Sequence, residues 1–173
     1  MRKRAKEISL VALFISLMVV GAQISIPIGP VPITLQVLML FLTGYILNPK
    51  LSFLTELIYL AMGAVGLPVF ANFTGGIVHL LGPTGGYLIS FPLVAYIVSL
   101  SKNRLSSRIV FGFLALVLLY GLGVVVLSFH IKSIVKAFTV GVFPFIPIDI
   151  GKMFLAIFIT TKLKKIIPEV GKA

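Results

Sequence analysis

The chain has 173 residues, of which 59% are hydrophobic and only 11% are charged, and its mean hydropathy is +1.18. An average soluble domain has about a quarter of its residues charged, so this composition excludes a water-soluble protein and indicates an integral membrane protein. The net charge of +11 would suit a nucleic-acid partner, but the basic residues lie at the ends of apolar stretches, which argues against one. The lack of cysteine excludes disulfides and thiolate metal sites.

Six apolar stretches follow in chain order, and each is predicted to cross the membrane as a helix. They are residues 8–26, 33–47, 51–66, 87–100, 109–129 and 148–161. The first follows the basic tag MRKRAK, and its length favours an uncleaved helix over a signal peptide. Residues 71–86 form a Gly-rich irregular segment, and residues 130–138 are predicted as a short amphipathic piece. The predicted fold class is an all-α membrane protein, a single domain over residues 1–173 with six transmembrane helices in a compact bundle.

The positions of Lys and Arg predict the orientation of this bundle, since cytoplasmic loops carry the excess of basic residues. With both termini in the cytoplasm, twelve of the fifteen basic residues fall on the inner side. These are Arg2, Lys3, Arg4, Lys6, Lys50, Lys102, Arg104, Arg108, Lys162, Lys164, Lys165 and Lys172. The other three, Lys132, Lys136 and Lys152, fall on the outer side. Glu56, early in the third stretch, is expected near the inner surface, where it would meet lipid headgroups, Lys50 or a partner.

Three irregular segments then lie on the outer side, at residues 27–32, 71–86 and 143–149. All three are rich in Pro, Gly or polar groups, and the run FTGGIVHLLGPTGGY contains no charged residue. Non-helical backbone at membrane depth is tolerated only where protein covers it or where it lines a cavity. We therefore predict that the three segments converge over an outward-facing ligand pocket; the alternative is that they are ordinary solvated loops.

Asp149 and Lys152 are the first candidates for a ligand contact. They stand three positions apart at the start of the last apolar stretch, a spacing that puts both on one face of a helix. An ionised group at the centre of a membrane helix costs at least about 2.5–3.5 kcal/mol, so such residues usually face a cavity or a partner. The pair therefore predicts a polar site at the outer end of this helix.

Three motifs resemble those of a known family. IGPVPITLQ (28–36), GLPVFANFTGGIVHLLGPTGGYLISFP (66–92) and KAFTVGVFPFIPIDIGK (136–152) strongly resemble the BioY proteins, the biotin-specific S components of energy-coupling factor vitamin importers. The likeness covers nearly the whole chain, and its middle motif is long and specific. The chain departs from the family at Ile148, where these proteins usually have glycine before the aspartate.

This resemblance implies a six-helix membrane protein that binds biotin on its outer side and docks on a transmembrane coupling subunit with two ATPases, without a cofactor of its own. Biotin has a largely apolar ring system and chain, a ureido head with two N–H donors and one acceptor, and a carboxylate. Asp149 would accept from a ureido N–H, and Lys152 would donate to an oxygen of the ligand. The other candidates supply amides, hydroxyls, glycine backbone and aromatic rings: Thr34, Gln36, Asn72, Phe73, Thr74, Gly75, Gly76 and Tyr87.

Each of these residues also has a purely structural interpretation. Asp149 and Lys152 can satisfy each other as an ion pair, and Asp149 can cap a helix. Thr34 and Gln36 can form hydrogen bonds between helices, the glycines at 75–76 can serve turns that need positive φ, and Tyr87 can anchor the chain at the membrane interface. His79 and His130 have no acidic neighbours at metal-ligand spacing, so no metal site is expected.

Ala12 and Ser16 form a small-xxx-small pattern in the first stretch, which lets another helix approach closely. The family resemblance implies that they contact the coupling subunit, whereas internal packing of this chain is the alternative. The chain has no phosphate-cradling G-x-x-x-x-G-K-[ST] motif and no catalytic motif, so it is expected not to be an enzyme. A solitary biotin facilitator, an S component for another vitamin and a non-transport membrane subunit remain alternative functions.

Overall fold

The computed structural model describes residues 2–166, and of residues 2 and 3 the backbone alone; Lys172 lies outside this range. This part of the chain forms eight α-helices. They are α1 Arg2–Gln23, α2 Gln36–Ile46, α3 Pro49–Ala64, α4 Ile77–Leu81, α5 Gly85–Ser99, α6 Leu105–Ile131, α7 Ile134–Gly141 and α8 Ile146–Ile166. Two short strands, β1 Ser25–Ile26 and β2 Ile33–Thr34, pair antiparallel as a hairpin, and Ala71–Phe73 forms a single 3-10 turn.

The helix ends follow local sequence signals. The side chain of Asn48 accepts a hydrogen bond from the backbone N–H of Leu51 (2.9 Å), and Pro49 occupies the first turn of α3, where its missing N–H costs nothing. Ser133 caps α7 in the same way. The first predicted stretch is wrong at its end and the second at its start, because residues 25–26 and 33–34 pair as strands; α1 therefore ends at Gln23, and α2 is only 11 residues long.

The helices pack around one apolar core. The most extensive contacts join α5 to α6, followed by α3 to α5 and α2 to α8. Fully buried apolar side chains from six helices fill the centre: Met18, Leu40, Phe41, Tyr59, Val94, Leu119, Leu127 and Met153. Glycine allows two of the close approaches: a Cβ at Gly86 would overlap the carbonyl oxygen of Leu122, and a Cβ at Gly123 would overlap the ring of Tyr87.

Large apolar side chains also face outward, as expected where lipid is the solvent. Val20 on α1, Val117 on α6 and Phe158 on α8 are all more than half exposed. Within the described residues, two helices are long and apolar enough to cross a membrane, and a third is added if α7 and α8, bent by 47°, count as one span. At about 1.5 Å per residue, α2 is too short by itself for a hydrocarbon core of about 30 Å. The protein is a multi-pass membrane protein, although length and hydropathy alone do not yield six spans.

Glu56 does not lie at the membrane surface, and that expectation is wrong. Its side chain is fully buried in α3, and neither carboxyl oxygen has a hydrogen-bond partner among the described residues. The neighbouring hydroxyl of Thr43 donates to the carbonyl of Met39 instead (2.9 Å). The side chain points into the bundle because α3 packs against α1 and α5 on the face that carries Thr55, Glu56 and Tyr59.

Glu56→Met is expected to leave the stability of the protein unchanged or to raise it. An unpaired buried polar group costs about 1–3 kcal/mol, and methionine fills a similar volume without polar atoms. Thr160→Val tests the same reasoning at a second buried, unpartnered oxygen. Thr43→Val is the matched control, since it removes a hydroxyl that is bonded and should cost about 0.5–1 kcal/mol. Thermal unfolding in detergent measures all three; a lower melting temperature for Glu56→Met would show that the carboxyl is needed.

Candidate functional site

A cavity of about 210 Å³ lies where β2, the start of α2, the loop at residues 70–74 and the helices α5, α6 and α8 meet. Its wall is mainly apolar, with a few polar groups placed among aromatic rings. The lining residues are Val31, Pro32, Thr34, Gln36, Val37, Phe70, Ala71, Asn72, Thr74, His79, Thr84, Tyr87, Leu88, Phe91, Leu119, Tyr120, Phe145, Asp149 and Lys152. All three irregular segments predicted to converge contribute to it. A concave, mostly apolar site with few polar groups is typical of a small-ligand pocket.

Asp149 and Lys152 form a buried ion pair on the cavity wall. Lys152 Nζ donates to Asp149 Oδ1 at 2.7 Å, and the side chains are only 7% and 2% exposed, respectively. The hydroxyl of Tyr120, on α6, donates to the other carboxylate oxygen at 2.9 Å. Asp149 is not a helix cap, because it lies inside the first turn of α8 and its own N–H bonds to the carbonyl of Phe145. The two residues therefore form a structural ion pair and also line the cavity.

This pair keeps hydrogen-bonding capacity for a ligand. An ammonium group has three N–H donors, of which Lys152 uses one on Asp149. A carboxylate has about four acceptor positions, of which Tyr120 and Lys152 fill two. In these apolar surroundings, each donor or acceptor without a partner costs free energy. A polar ligand group that reaches the pair is therefore bound more strongly than it would be in water.

Thr34 and Gln36 also line the cavity, at the junction of β2 and α2. The Thr34 hydroxyl donates to Gln36 Oε1 (2.9 Å), Gln36 Nε2 donates to the Tyr59 hydroxyl (2.7 Å), and that hydroxyl donates to the carbonyl of Val69 (2.9 Å). These hydrogen bonds connect β2, α2 and α3, as expected if Thr34 and Gln36 hold neighbouring elements together. They also hold the amide of Gln36 in one orientation at the cavity wall.

Tyr87 is buried at the start of α5 and does not occupy a lipid-facing position. Its hydroxyl donates to the carbonyl of Gly141 at 2.8 Å, and its ring fits against Gly123 of α6. The hydroxyl therefore has its hydrogen-bond partner within the protein, and the aromatic ring is the part of Tyr87 that lines the cavity.

The loop at residues 70–74 closes one side of the cavity in a strained conformation. Asn72 and Phe73 have φ of 59° and 55°, in the left-handed region that residues other than glycine rarely adopt. Gln23 at the end of α1 holds the loop, since its amide donates to the carbonyl of Phe70 and accepts from the N–H of Phe73. Ser25 donates to the side chain of Asn72. Strain of this kind persists only where surrounding contacts impose it, and it is concentrated at functional sites.

Of the ten candidate ligand contacts, seven meet at the cavity and three do not. Phe73 is 73% exposed and is not among the lining residues. Gly76 has φ of 103°, and a Cβ at Gly75 would overlap the carbonyl of Leu67, so both glycines serve the backbone path of the loop. Ile148, the departure from the family pattern, is 37% exposed and is not among the lining residues.

Sequence reasoning missed three polar lining residues, Tyr120, His79 and Thr84. Tyr120 is the one residue with an aromatic hydroxyl in the apolar sequence of α6. Its position among apolar residues could have marked it as a candidate ligand contact. His79 lies edge-on to the ring of Phe70, with ring centroids 6.0 Å apart, and gave no such signal. Within residues 4–166, no group of three His, Asp or Glu side chains is arranged to hold a metal ion.

Comparison with known proteins is consistent with this arrangement. The family model of the BioY family matches residues 1–169. A probable biotin transporter BioY from Pyrococcus horikoshii is 49% identical over 161 residues, which is 93% of this chain and 98% of that relative. A biotin transporter BioY from Thermotoga maritima is 46% identical over 157 residues, covering 89% and 93%.

A solved structure has the same fold. It is a crystal structure at 2.1 Å of the S-component for biotin from an ECF-type ABC transporter, with a TM-score of 0.87, 26% sequence identity, and coverage of 95% of this chain and 93% of that one. On the family model and on relatives aligned over nearly their full length, this chain belongs to the BioY family.

Proposed function

We propose that this chain is the biotin-binding S component of an energy-coupling factor importer and that the cavity described above is its biotin site. The observation that supports this most directly is the buried Asp149–Lys152 pair on an otherwise mainly apolar wall. A cavity of about 210 Å³ is smaller than the roughly 300–1,000 Å³ usual for drug-sized ligands, which suits a small vitamin. The relatives named as biotin transporters support the choice of ligand.

The chemistry of biotin matches the free capacity of the site. Asp149 accepts a ureido N–H on its unused lone pairs, and Lys152 donates to an oxygen of the ligand with one of its two unused N–H groups. The rings of Tyr87, Phe91 and Phe145 supply apolar contact for the bicyclic ring and chain. Gln36, Thr34, Asn72 and Thr74 are further polar contacts, and the glycines 75–76 and Phe73 act through the shape of the loop.

Equilibrium binding of labelled biotin to the purified chain in detergent tests the function. We expect saturable binding that excess unlabelled biotin abolishes and that riboflavin and thiamine do not displace. Displacement by riboflavin or thiamine at equal concentration would assign the pocket to another vitamin. A folded chain that binds none of the three would point to a non-transport subunit.

The proposed topology has six membrane segments in one domain, formed by α1, α2, α3, α5, α6 and α8, with both termini cytoplasmic and the cavity toward the outside. The basic residues support it: Lys164 and Lys165 lie at the end of α8 away from Asp149. The chain has no native cysteine, so single-cysteine variants can be labelled cleanly. On intact cells, an impermeant maleimide should label Ile28→Cys near the cavity but not Ser106→Cys at the other end; the reverse pattern would invert the topology.

The partners in this proposal are a transmembrane coupling subunit and two ATPases, and Ala12 and Ser16 are the proposed contact. Both residues face outward on α1 rather than into the bundle. The Ser16 hydroxyl donates to the carbonyl of Ala12 at 2.9 Å, so this small face presents no unpaired polar group. That placement favours contact with another helix over packing within this chain.

Ala12→Trp is expected to abolish assembly with the coupling subunit and to reduce biotin uptake below about a tenth, because the large ring keeps a partner helix from approaching. Biotin binding to the isolated chain should not change, since α1 does not line the cavity. Val117→Trp, at a position 70% exposed on α6, is the matched control and should leave assembly intact. Co-purification and uptake in cells measure the effect; normal assembly of Ala12→Trp would rule this contact out.

A further inference from the structure

A second polar cluster lies at the ends of α6 and α8 that are remote from the cavity. It consists of Arg108 on α6, Thr161 and Lys164 on α8, and Asn103 in the preceding loop. Arg108 lies eleven residues before Leu119 on α6, and Thr161 lies nine residues after Lys152 on α8, which at about 1.5 Å per residue separates the cluster from the cavity wall by roughly 13–17 Å. It therefore belongs to neither the proposed biotin site nor the contact on α1.

Arg108 is fixed and almost fully buried, at 6% exposure. Its guanidinium donates to the hydroxyl of Thr161 (2.8 Å) and to Asn103 Oδ1 (3.2 Å), and it lies over the ring of Tyr45, 5.9 Å from the centroid. The hydroxyl of Tyr45 donates in turn to the backbone carbonyl of Arg108 (2.9 Å). These contacts hold the cation in one place without neutralising it.

Lys164 is drawn to the same oxygen. Its ammonium group donates to Asn103 Oδ1 at 2.9 Å, so one neutral amide oxygen holds two positive charges next to each other. None of the carboxylates in the described part of the chain forms an ion pair with either cation. Two adjacent cations, one of them buried, with only neutral partners are an unfavourable arrangement unless an anion completes it.

The donors that remain are suited to phosphate. Of the five guanidinium N–H groups of Arg108 two are used, and of the three ammonium N–H groups of Lys164 one is used. Arginine and lysine together are typical phosphate ligands. Asn103 is exposed and Lys164 half-buried, so an anion has access from their side while Arg108 adds its charge from behind.

The apolar surface beside the cluster favours a lipid over a free ion. Leu105, one turn before Arg108, is 61% exposed, and Ile166, two residues after Lys164, is 75% exposed. A phosphate that carries acyl chains can contact these side chains while its headgroup meets the cations, whereas inorganic phosphate cannot. Basic pockets between transmembrane helices are known to bind anionic headgroups in this way. We propose that Arg108, Lys164 and Asn103 form a binding site for the phosphate of an anionic phospholipid at the membrane surface opposite the cavity.

The test uses the full-length purified chain, titrated in detergent with phosphatidylglycerol, phosphatidylcholine or inorganic phosphate. Native mass spectrometry measures the lipid retained, and thermal unfolding measures stabilisation. Phosphatidylglycerol should be retained and should raise the melting temperature, whereas phosphatidylcholine and inorganic phosphate at equal concentration should do so much less. Equal effects of both lipids would overturn the proposal, and an equal effect of inorganic phosphate would replace the lipid with a free anion.

Two charge-matched variants separate this site from general attraction to a charged membrane. Lys164→Gln should weaken phosphatidylglycerol binding by about three- to tenfold. Lys165→Gln removes the same charge from an exposed neighbour, and binding should change by less than about twofold. Both variants should bind biotin normally, which shows that they are folded. Equal losses in the two variants would mean that only surface charge matters.

A carboxylate of the chain itself is the competing counter-ion. Glu169 lies outside the described residues, so Glu169→Gln is included in the same titration. We expect this variant to bind phosphatidylglycerol as the unmodified chain does. If Glu169→Gln and Lys164→Gln lowered the melting temperature equally and lipid changed neither, the counter-charge would belong to the chain and the proposal would be overturned.

Discussion

Asp149→Asn should weaken biotin binding by about ten- to a hundredfold. The substitution keeps the shape of the side chain but removes the charge that Lys152 and Tyr120 both contact. A hydrogen bond to a charged group is worth about 1.5–3 kcal/mol, and each 1.4 kcal/mol is a factor of ten in affinity. Lys152→Ala should cause a loss of similar size, because it leaves the carboxylate buried without its cation. Isothermal titration of the purified variants with biotin measures the change.

Tyr120→Phe provides a graded comparison for these two variants. It removes one neutral donor to Asp149 and leaves the ion pair in place, so affinity should fall only about two- to tenfold. Melting temperatures without biotin separate ligand contact from structural support. If Asp149→Asn and Lys152→Ala lowered the melting temperature but the folded protein bound biotin unchanged, the pair would be structural only and the proposed site would be wrong.

Gly123→Ala should destabilise the protein by several kcal/mol and should also weaken biotin binding. The added Cβ would overlap the ring of Tyr87, which lines the cavity and whose hydroxyl is held by Gly141. The ring is also held at its far end, because the Tyr87 hydroxyl donates to the carbonyl of Gly141 at 2.8 Å. Forcing extra atoms into a packed interior typically costs about 1–3 kcal/mol, and more when the neighbour cannot shift.

Gly121→Ala is the matched control for this variant. Gly121 lies two residues earlier on α6, and a Cβ there would meet nothing within 4 Å. Alanine also favours a helix interior by about 1 kcal/mol over glycine, so this variant should be as stable as the original or slightly more so. Thermal unfolding and biotin titration are carried out on both. If the two variants behaved alike, the contact between α6 and Tyr87 would not shape the pocket.

The sequence predicted the features that depend on composition and on short spacing. Hydropathy identified the membrane class and the long helices α1 and α6, and the i, i+3 spacing identified Asp149 and Lys152 as neighbours on one face. The convergence of the irregular segments followed from the rule that such backbone needs cover at membrane depth. The first two inferences use only local sequence, and the third uses a general rule about membranes that does not say which side chains meet.

Features that depend on distant contacts could not be predicted in this way. Tyr120 reaches Asp149 across 29 positions of sequence, and only the packing of α6 brings them together. Residues 33 and 34 fall within the predicted helical stretch 33–47, yet pairing with β1 makes them a strand. Glu56 was expected near the inner surface because it comes early in the third stretch, although its face of α3 is the one that packs inward.

The side-chain amide of Gln23 links the end of α1 to the loop at residues 70–74. It contacts the carbonyls of Val19 and Phe70 and the N–H of Phe73, so the last turn of α1 and the strained loop beside the cavity share a single side chain. If the end of α1 moved by more than the length of a hydrogen bond, the loop would have to move with it or its hydrogen bonds to Gln23 would break. A protein that bound the outward face of α1 and tilted this helix would therefore also shift the loop that lines the cavity, and by reciprocity a ligand in the cavity would change the affinity of α1 for that protein.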